Sequence, residues 1–277
     1  MKNLMQLKSL IRNLSKEKNL NPQIVLRIYM MERILERISI SSYKNNFILK
    51  GGMLVTSLAG IAERSTIDMD ITLKSIKLTS ENIKNIFEEL INIDLNDGVE
   101  FELERISEIR EEDNYYGYRI SIISKLEKAK IPLKIDITTG DKITPSEIQY
   151  KYKLLLENRN INIFAYNKET LLAEKIETII SRNILNSRMK DFYDIYIIFK
   201  LFDKEIDKNT LKEAIYETFT KRETINLLKD KDQLVANIFK DQNMKNYWEQ
   251  YTNKYSYSKN ISWEEIELLI KSIISMI

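Results

Sequence analysis

The chain has no histidine and no cysteine in its 277 residues. The first absence removes Ser-His-Asp and Cys-His catalysis, imidazole-bound zinc and the usual general base. The second removes disulfides and thiolate metal sites, and fits a reducing compartment. Proline is scarce, with three residues, and no Pro/Gly-rich linker, repeat or low-complexity segment divides the sequence. No apolar run reaches the ~18–20 residues that a membrane helix needs, and no signal-peptide pattern opens the chain. The expected location is therefore the cytoplasm, with no membrane partner. Charge of one sign is also lacking. The 43 Lys+Arg nearly balance the 41 Asp+Glu for a formal net charge of +2, so no global field announces nucleic acid. Any catalysis must run on carboxylates, Lys, Arg, Tyr or a metal ion.

With 43% hydrophobic and 30% charged residues the chain is of soluble globular composition, long enough for one large domain or two modest ones. Its organising stretch runs from Lys50 to Leu73 and holds three of the six glycines, with Asp68 and Asp70 in an apolar run. Ile67, Met69, Ile71 and Leu73 alternate with Asp68, Asp70 and Thr72, the period of a strand with one face in a core. Both carboxylates then share the other face, roughly 6.5–7 Å apart. Two like charges so placed repel and invite a divalent cation. Upstream, Phe47-Ile48-Leu49 reads as a short strand. Gly51-Gly52 lets the chain turn into a helix whose free N–H groups suit a phosphate.

The remaining elements follow from period and caps. Leu4, Leu7, Leu10, Ile11 and Leu14 have helical spacing, and Asn21-Pro22 caps a second amphipathic helix reaching Ile38. Thr79 opens another helix. Three strands are expected on the alternations Val99-Phe101-Leu103, Tyr116-Tyr118-Ile120-Ile122 and Ile131-Leu133-Ile135-Ile137. The run from Ile148 to Leu156 with Ile161–Ala165 reads as a hairpin, although Thr144-Pro-Ser-Glu147 is also a helix-start signal. From Asn167 onward the period is 3.6, with helices over 168–182 and 188–202, and Ser262-Trp-Glu-Glu265 is a capping box. The expected class is α+β: a mixed α/β core over 1–165, with the N-terminal helices, and an all-α part over 166–277.

Three further residues bear on chemistry. Asp136 lies on the polar face of its strand, so it can join Asp68 and Asp70 on one side of a sheet. Carboxylates around Mg²⁺ serve phosphoryl and nucleotidyl transfer. Lys175 sits on the margin of the stripe Leu171, Leu172, Ile176, Ile179 and Ile180. Spacing alone allows a lysine snorkelling to water or a cation turned inward. Asp191, four before Ile195, falls on a buried helix face and is the natural partner of an inward Lys175. Arg188 and Lys190 can hold phosphate or be solvated. Tyr193, Tyr196 and the C-terminal aromatics read as core.

The ordered set Phe47-Ile-Leu-Lys-Gly-Gly52, Arg64-Ser-Thr-Ile-Asp-Met-Asp70, Leu133-Lys-Ile-Asp-Ile137, Leu172-Ala-Glu-Lys175 and Arg188-Met-Lys-Asp-Phe-Tyr-Asp194 resembles the AbiEii/AbiGii toxin family of the DNA-polymerase-β-like nucleotidyltransferase superfamily. The likeness spans roughly residues 45 to 200. It implies a mixed sheet with flanking helices and a Mg²⁺-dependent (or Mn²⁺-dependent) nucleotidyltransferase that uses a nucleoside triphosphate. It further implies the toxin of a bacterial toxin–antitoxin or phage-defence pair, with an antitoxin from a neighbouring gene. An RNA acceptor is expected, since some relatives extend the 3′ end of tRNA. Carried over by position, Asp68 and Asp70 look like the metal carboxylates, with Asp136, from its place on the strand, as a third metal carboxylate and candidate base. Lys50, Gly51, Gly52, Thr66 and Lys175 look like nucleotide-binding residues, and Lys175 and Asp191 like the helical domain's contribution to catalysis. Gly52 departs from the pattern, which often has serine there. Two other classes fit parts of the sequence. A non-catalytic RNA- or protein-binding module would not need all the carboxylates, and an Asp-x-Asp glycosyltransferase leaves Lys175 and Asp191 without a role.

Overall fold

Periodicity and capping place the elements of the computed structural model, which describes residues 4–110 and 116–277. Helices α1 (Leu4–Lys18) and α2 (Pro22–Ile40) come first, the second capped by Asn21, whose side chain accepts from Gln23 N at 2.8 Å. Then come β1 (Phe47–Lys50), α3 (Gly51–Ala59), β2 (Met69–Leu73) and α4 (Ser80–Ile91). Three long strands, β3 (Val99–Arg110), β4 (Tyr116–Leu126) and β5 (Ala129–Thr139), are followed by the hairpin β6 (Ile148–Lys153) and β7 (Asn160–Ala165). The rest is helical: α5 (Lys168–Arg182), α6 (Met189–Phe202), α7 (Lys208–Lys221), α8 (Lys231–Lys240), α9 (Gln242–Lys254) and α10 (Trp263–Ile274). The Ser262 capping box opens the last of them.

The strands form one mixed sheet in the order β3-β4-β5-β2-β1-β7-β6. The central pairs β2–β5 and β1–β7 are parallel, and β1–β2 is antiparallel. The chain divides into two compact units, residues 1–140 with 147–165, and residues 141–146 with 166–277. The sheet and first four helices make the first unit. In the second, α5 packs on α6 and α7. No helix among the described residues is long and apolar enough to cross a membrane.

Local differences from the sequence reading have identifiable causes. The strand expected from Ile67 begins at Met69, and Ile67 is exposed. The Thr66 hydroxyl, which accepts from Asp68 N at 3.4 Å, holds a turn there instead. The stretch at Thr144 is not a helix. It is tied to the start of α5, with Thr144 N donating to Thr170 Oγ1 at 3.0 Å and Asn167 Nδ2 to Thr144 O at 2.7 Å. Strand β6 stops at Lys153 rather than Leu156, where Leu154 N donates to Arg159 O and closes the loop. The side chain of Tyr116 lies outside the described residues.

Helix α2 packs on β5 and β7 and buries charge as well as apolar surface. Arg33 reaches Glu36 at 2.8 Å and Glu157 at 3.1 Å, and Arg159 bridges the same two carboxylates. Glu32 beside them accepts from Leu155 N at 3.0 Å. Burial pushes its carboxyl up to about 8, against that hydrogen bond and the Arg33 charge. A carboxyl raised in the folded state binds more protons than the unfolded chain between about pH 4.5 and 8, so its contribution to stability falls as pH rises through that window. Glu32→Gln keeps an acceptor for Leu155 and removes the titration. It is expected to flatten the decline in stability between pH 5.5 and 8, worth a few kcal/mol, in urea unfolding at both pH values. An unchanged slope would show that Glu32 is ionised in the folded protein throughout.

Candidate active site

Sheet register builds a row of charge across four strands. Lys50 on β1 stands opposite Asp70 on β2, Asp70 beside Asp136 on β5, and Asp136 opposite Arg119 on β4. Residues in register on neighbouring strands point to the same face, so two carboxylates stand side by side with a cation at either end. Arg119 grips Asp136 bidentately, Nε donating to Oδ1 at 2.8 Å and Nη2 to Oδ2 at 2.7 Å. Its guanidinium is held protonated above its ordinary range, first by the Asp136 hydrogen bond and then, against partial burial, by the charges of Asp136, Asp68 and Asp70.

The β1–α3 turn closes on this row. Gly51 has φ +63°, and a Cβ there would stand 2.1 Å from Asp70 Oδ2, so a side chain is excluded twice over. The Gly52 N–H donates to the same Oδ2 at 3.3 Å. The second amide of α3 thus meets the chain's own carboxylate, where a phosphate was the expectation. A Cβ on Gly52 would come within 2.8 Å of Thr66 Oγ1. The Thr66 hydroxyl therefore occupies the space that a serine side chain at position 52 would need. Arg64, buried nearby, is 3.5 Å from that same point and donates to Ser65 O.

Asp68 and Asp70 are partly buried, Asp68 just before the strand and Asp70 within it. Asp136 stands next to Asp70 as expected, but Arg119 engages both its oxygens. Among the described residues no group of three carboxylates is arranged to hold a metal ion. The donors present are carboxylate oxygens, with no thiolate or imidazole in the chain, which is the donor chemistry of a hard cation such as Mg²⁺ or Mn²⁺. The donor chemistry of Asp68 and Asp70 fits that group, while Asp136 is taken up by Arg119.

Within the helical unit, Lys175 and Asp191 do meet. Lys175 Nζ donates to Asp191 Oδ1 at 3.1 Å and to Asp194 Oδ2 at 2.6 Å, with all three residues buried. The lysine is inward, not snorkelling. Burial alone pushes the Asp191 carboxyl up, but Lys175 and then Arg188 outweigh it and hold it below its ordinary range. Arg188 Nε lies 3.1 Å from Asp191 Oδ2, as an ion pair whose alignment falls short of a hydrogen bond. Sequence reasoning missed Asp194, although it sits one helical turn after Asp191, and it missed Arg119.

Two aspartates around one lysine set a clear expectation. Lys175→Ala leaves two buried like charges and should cost about 3–5 kcal/mol in urea unfolding. Lys175→Met with Asp194→Asn should lose less than the sum of the single changes. Additive losses would contradict the cluster. The lowered Asp191 carboxyl contributes stability above its unfolded pKa that is lost as pH falls through the folded one.

The family model described as nucleotidyl transferase AbiEii toxin, type IV TA system, matches residues 33–266. Among solved structures, MenT4, a nucleotidyltransferase toxin from Mycobacterium tuberculosis, superposes with a TM-score of 0.55 at 12% identity, over 97% of this chain and 98% of that one. JHP933 from Helicobacter pylori gives a TM-score of 0.50 at 16% identity, over 93% and 92%. These two likenesses speak to the fold alone. No curated protein sequence matches the chain. With the family model covering most of its length, the chain belongs to the AbiEii nucleotidyltransferase toxin family.

Proposed function

We propose that this nucleotidyltransferase transfers a nucleoside monophosphate from a nucleoside triphosphate to the end of an RNA acceptor, of which a tRNA 3′ end is one example. It would act in the cytoplasm as the toxic half of a toxin–antitoxin pair that serves phage defence, restrained by an antitoxin from a neighbouring gene. The observation that carries the reading is the Lys50–Asp70–Asp136–Arg119 row closed by the Gly51-Gly52 turn.

In the reaction an acceptor hydroxyl oxygen bonds to the α-phosphorus, the bond from that phosphorus to the bridging oxygen breaks, and pyrophosphate leaves with the electron pair. Asp68 and Asp70 are the residues that would hold Mg²⁺ or Mn²⁺, which supplies charge neutralisation for the phosphoryl oxygens. Lys50 and Arg119 limit the repulsion of substrate phosphates by the carboxylates. For Asp136 to accept the hydroxyl proton, Arg119 must first release one of its oxygens. Thr66 and the Gly52 amide are the proposed phosphate contacts, for which Asp70 Oδ2 would have to release the amide. The resemblance supports Lys175 as the cation that offsets the departing pyrophosphate, with Asp191 as its positioning residue.

The test is transfer from each labelled triphosphate to total cellular RNA in the presence of Mg²⁺. Asp70→Asn is expected to reduce transfer by ~10²-fold or more while leaving the unfolding midpoint in metal-free buffer unchanged or slightly raised, since one of two repelling charges is gone. Expression of the wild-type chain alone should slow bacterial growth, and Asp70→Ala should relieve it. Undiminished toxicity of an inactive variant would favour a binding module on the same fold.

A further inference from the structure

In the helical unit, α9 presents Tyr247, Gln250, Tyr251 and Lys254 along one face, at the three- and four-residue spacing of a helical stripe. With Tyr255 and the entry to α6, Ser187 to Lys190, they line a cavity of ≈ 460 Å³. Three of the nine lining residues are cations (Arg188, Lys190 and Lys254) and three are tyrosines. No carboxylate is among the nine. Asp191, buried beside Arg188, shares Lys175 with Asp194, so Arg188 is balanced by that cluster and Lys190 and Lys254 carry the excess positive charge of the lining. A chain of nearly zero net charge thus concentrates cations where aromatic rings are also gathered.

Two of the three tyrosine rings, Tyr251 and Tyr255, are packed against other rings. Tyr251 stacks on Trp248 at 5.6 Å between centroids with planes 22° apart, and Tyr255 stacks on Tyr257 at 5.4 Å and 22°. The Tyr251 and Tyr257 hydroxyls are 3.2 Å apart, and Lys254 Nζ lies 5.4 Å from the Tyr255 ring centroid. Tyr247, at 40% exposure, remains open to solvent. Flat rings beside cations favour a ligand that is planar and anionic at once, and nucleotides in a single strand are both: bases stack on the rings and phosphates meet the cations. A duplex keeps its bases stacked inside and cannot use the rings. A free triphosphate arrives with Mg²⁺, and this lining offers it no carboxylate.

We propose that this cavity is a docking site for single-stranded nucleic acid, with a base on Tyr247 or Tyr251 and flanking phosphates on Arg188, Lys190 and Lys254. It deepens the transferase reading by giving the acceptor strand a site, and its test needs neither nucleotide nor metal, so the two can fail separately. The probe is a labelled RNA of about ten nucleotides, within the range that such grooves cover, followed by fluorescence anisotropy over a series of KCl concentrations without Mg²⁺. Lys190 and Lys254 are exposed, as is Tyr247, so substitution there should leave the fold intact, which circular dichroism checks. Tyr247→Ala should weaken binding by about tenfold and Tyr247→Phe should restore it. Lys190→Ala and Lys254→Ala should each weaken binding for all sequences and reduce the salt slope by about 0.7. Asp70→Asn should bind RNA like the wild type even if transfer is lost. A matched DNA strand binding equally well would extend the site to any single strand. Wild-type affinity in Tyr247→Ala and in the double lysine variant would overturn the proposal. So would poly-glutamate or a duplex of the same sequence binding as tightly as the RNA.

Discussion

The placement of Asp70 beside Asp136 on adjacent parallel strands is the constraint on which the α/β unit turns. Strands lie about 4.8 Å apart, and two unit charges at that spacing repel by roughly 3 kcal/mol at an effective dielectric of about 20. A fold keeps such a pair only if something nearby offsets it. The next strand on either side supplies a cation in register, Lys50 and Arg119. The glycine turn then follows from the aspartate, because Asp70 occupies the volume of any side chain at position 51. Thr66 in turn takes the space at position 52 and pins Asp68 at the strand entrance.

A chain without histidine or cysteine makes its polar interior from other groups, and beside neutral hydrogen bonds such as those of Thr144, Asn167 and Thr170 this one buries several sets of full charges. In the α/β unit Arg33, Glu36, Glu157 and Arg159 tie α2 to the β6–β7 loop. In the helical unit Lys175 gathers Asp191 and Asp194, and Arg222 is held between Glu174 and Glu177. Removing one partner from such a group costs more than the group contributes, since the remaining charge is stranded away from water. The Arg33 and Arg222 groups have no role in the proposed reaction, so burial of a charged group alone is a poor guide to function in this chain.

Much of this was legible in the sequence. Alternation located β3, β4 and β5, the caps at Asn21, Thr79 and Ser262 opened their helices, and the change of period near Asn167 marked where the helices begin. Asp191 as partner of Lys175 followed from two inward positions. Arg119 was missed because its role depends on register. The tight Glu127-Lys128 turn pairs Leu126 with Ala129, and counting back from there puts Arg119 opposite Asp136. Placing that turn first would have found it. Asp68 was misplaced onto the strand because period two cannot show where a hydroxyl breaks a ladder, as Thr66 does. The C-terminal aromatics were read as core, whereas Tyr247 is exposed and lines a cavity with cations from the start of α6, more than fifty residues away, a grouping that spacing cannot show.

The most direct measurement is the thermal stability of Arg119→Ala as Mg²⁺ is added, by scanning calorimetry beside the wild type. If the row is a carboxylate pair restrained by flanking cations and ready for a metal, the variant starts less stable and gains more from Mg²⁺ than the wild type, since Asp136 is released to join Asp70. That extra gain should vanish when Asp136→Asn is added. Equal responses to Mg²⁺ in wild type and Arg119→Ala, or no response in either, would contradict the account.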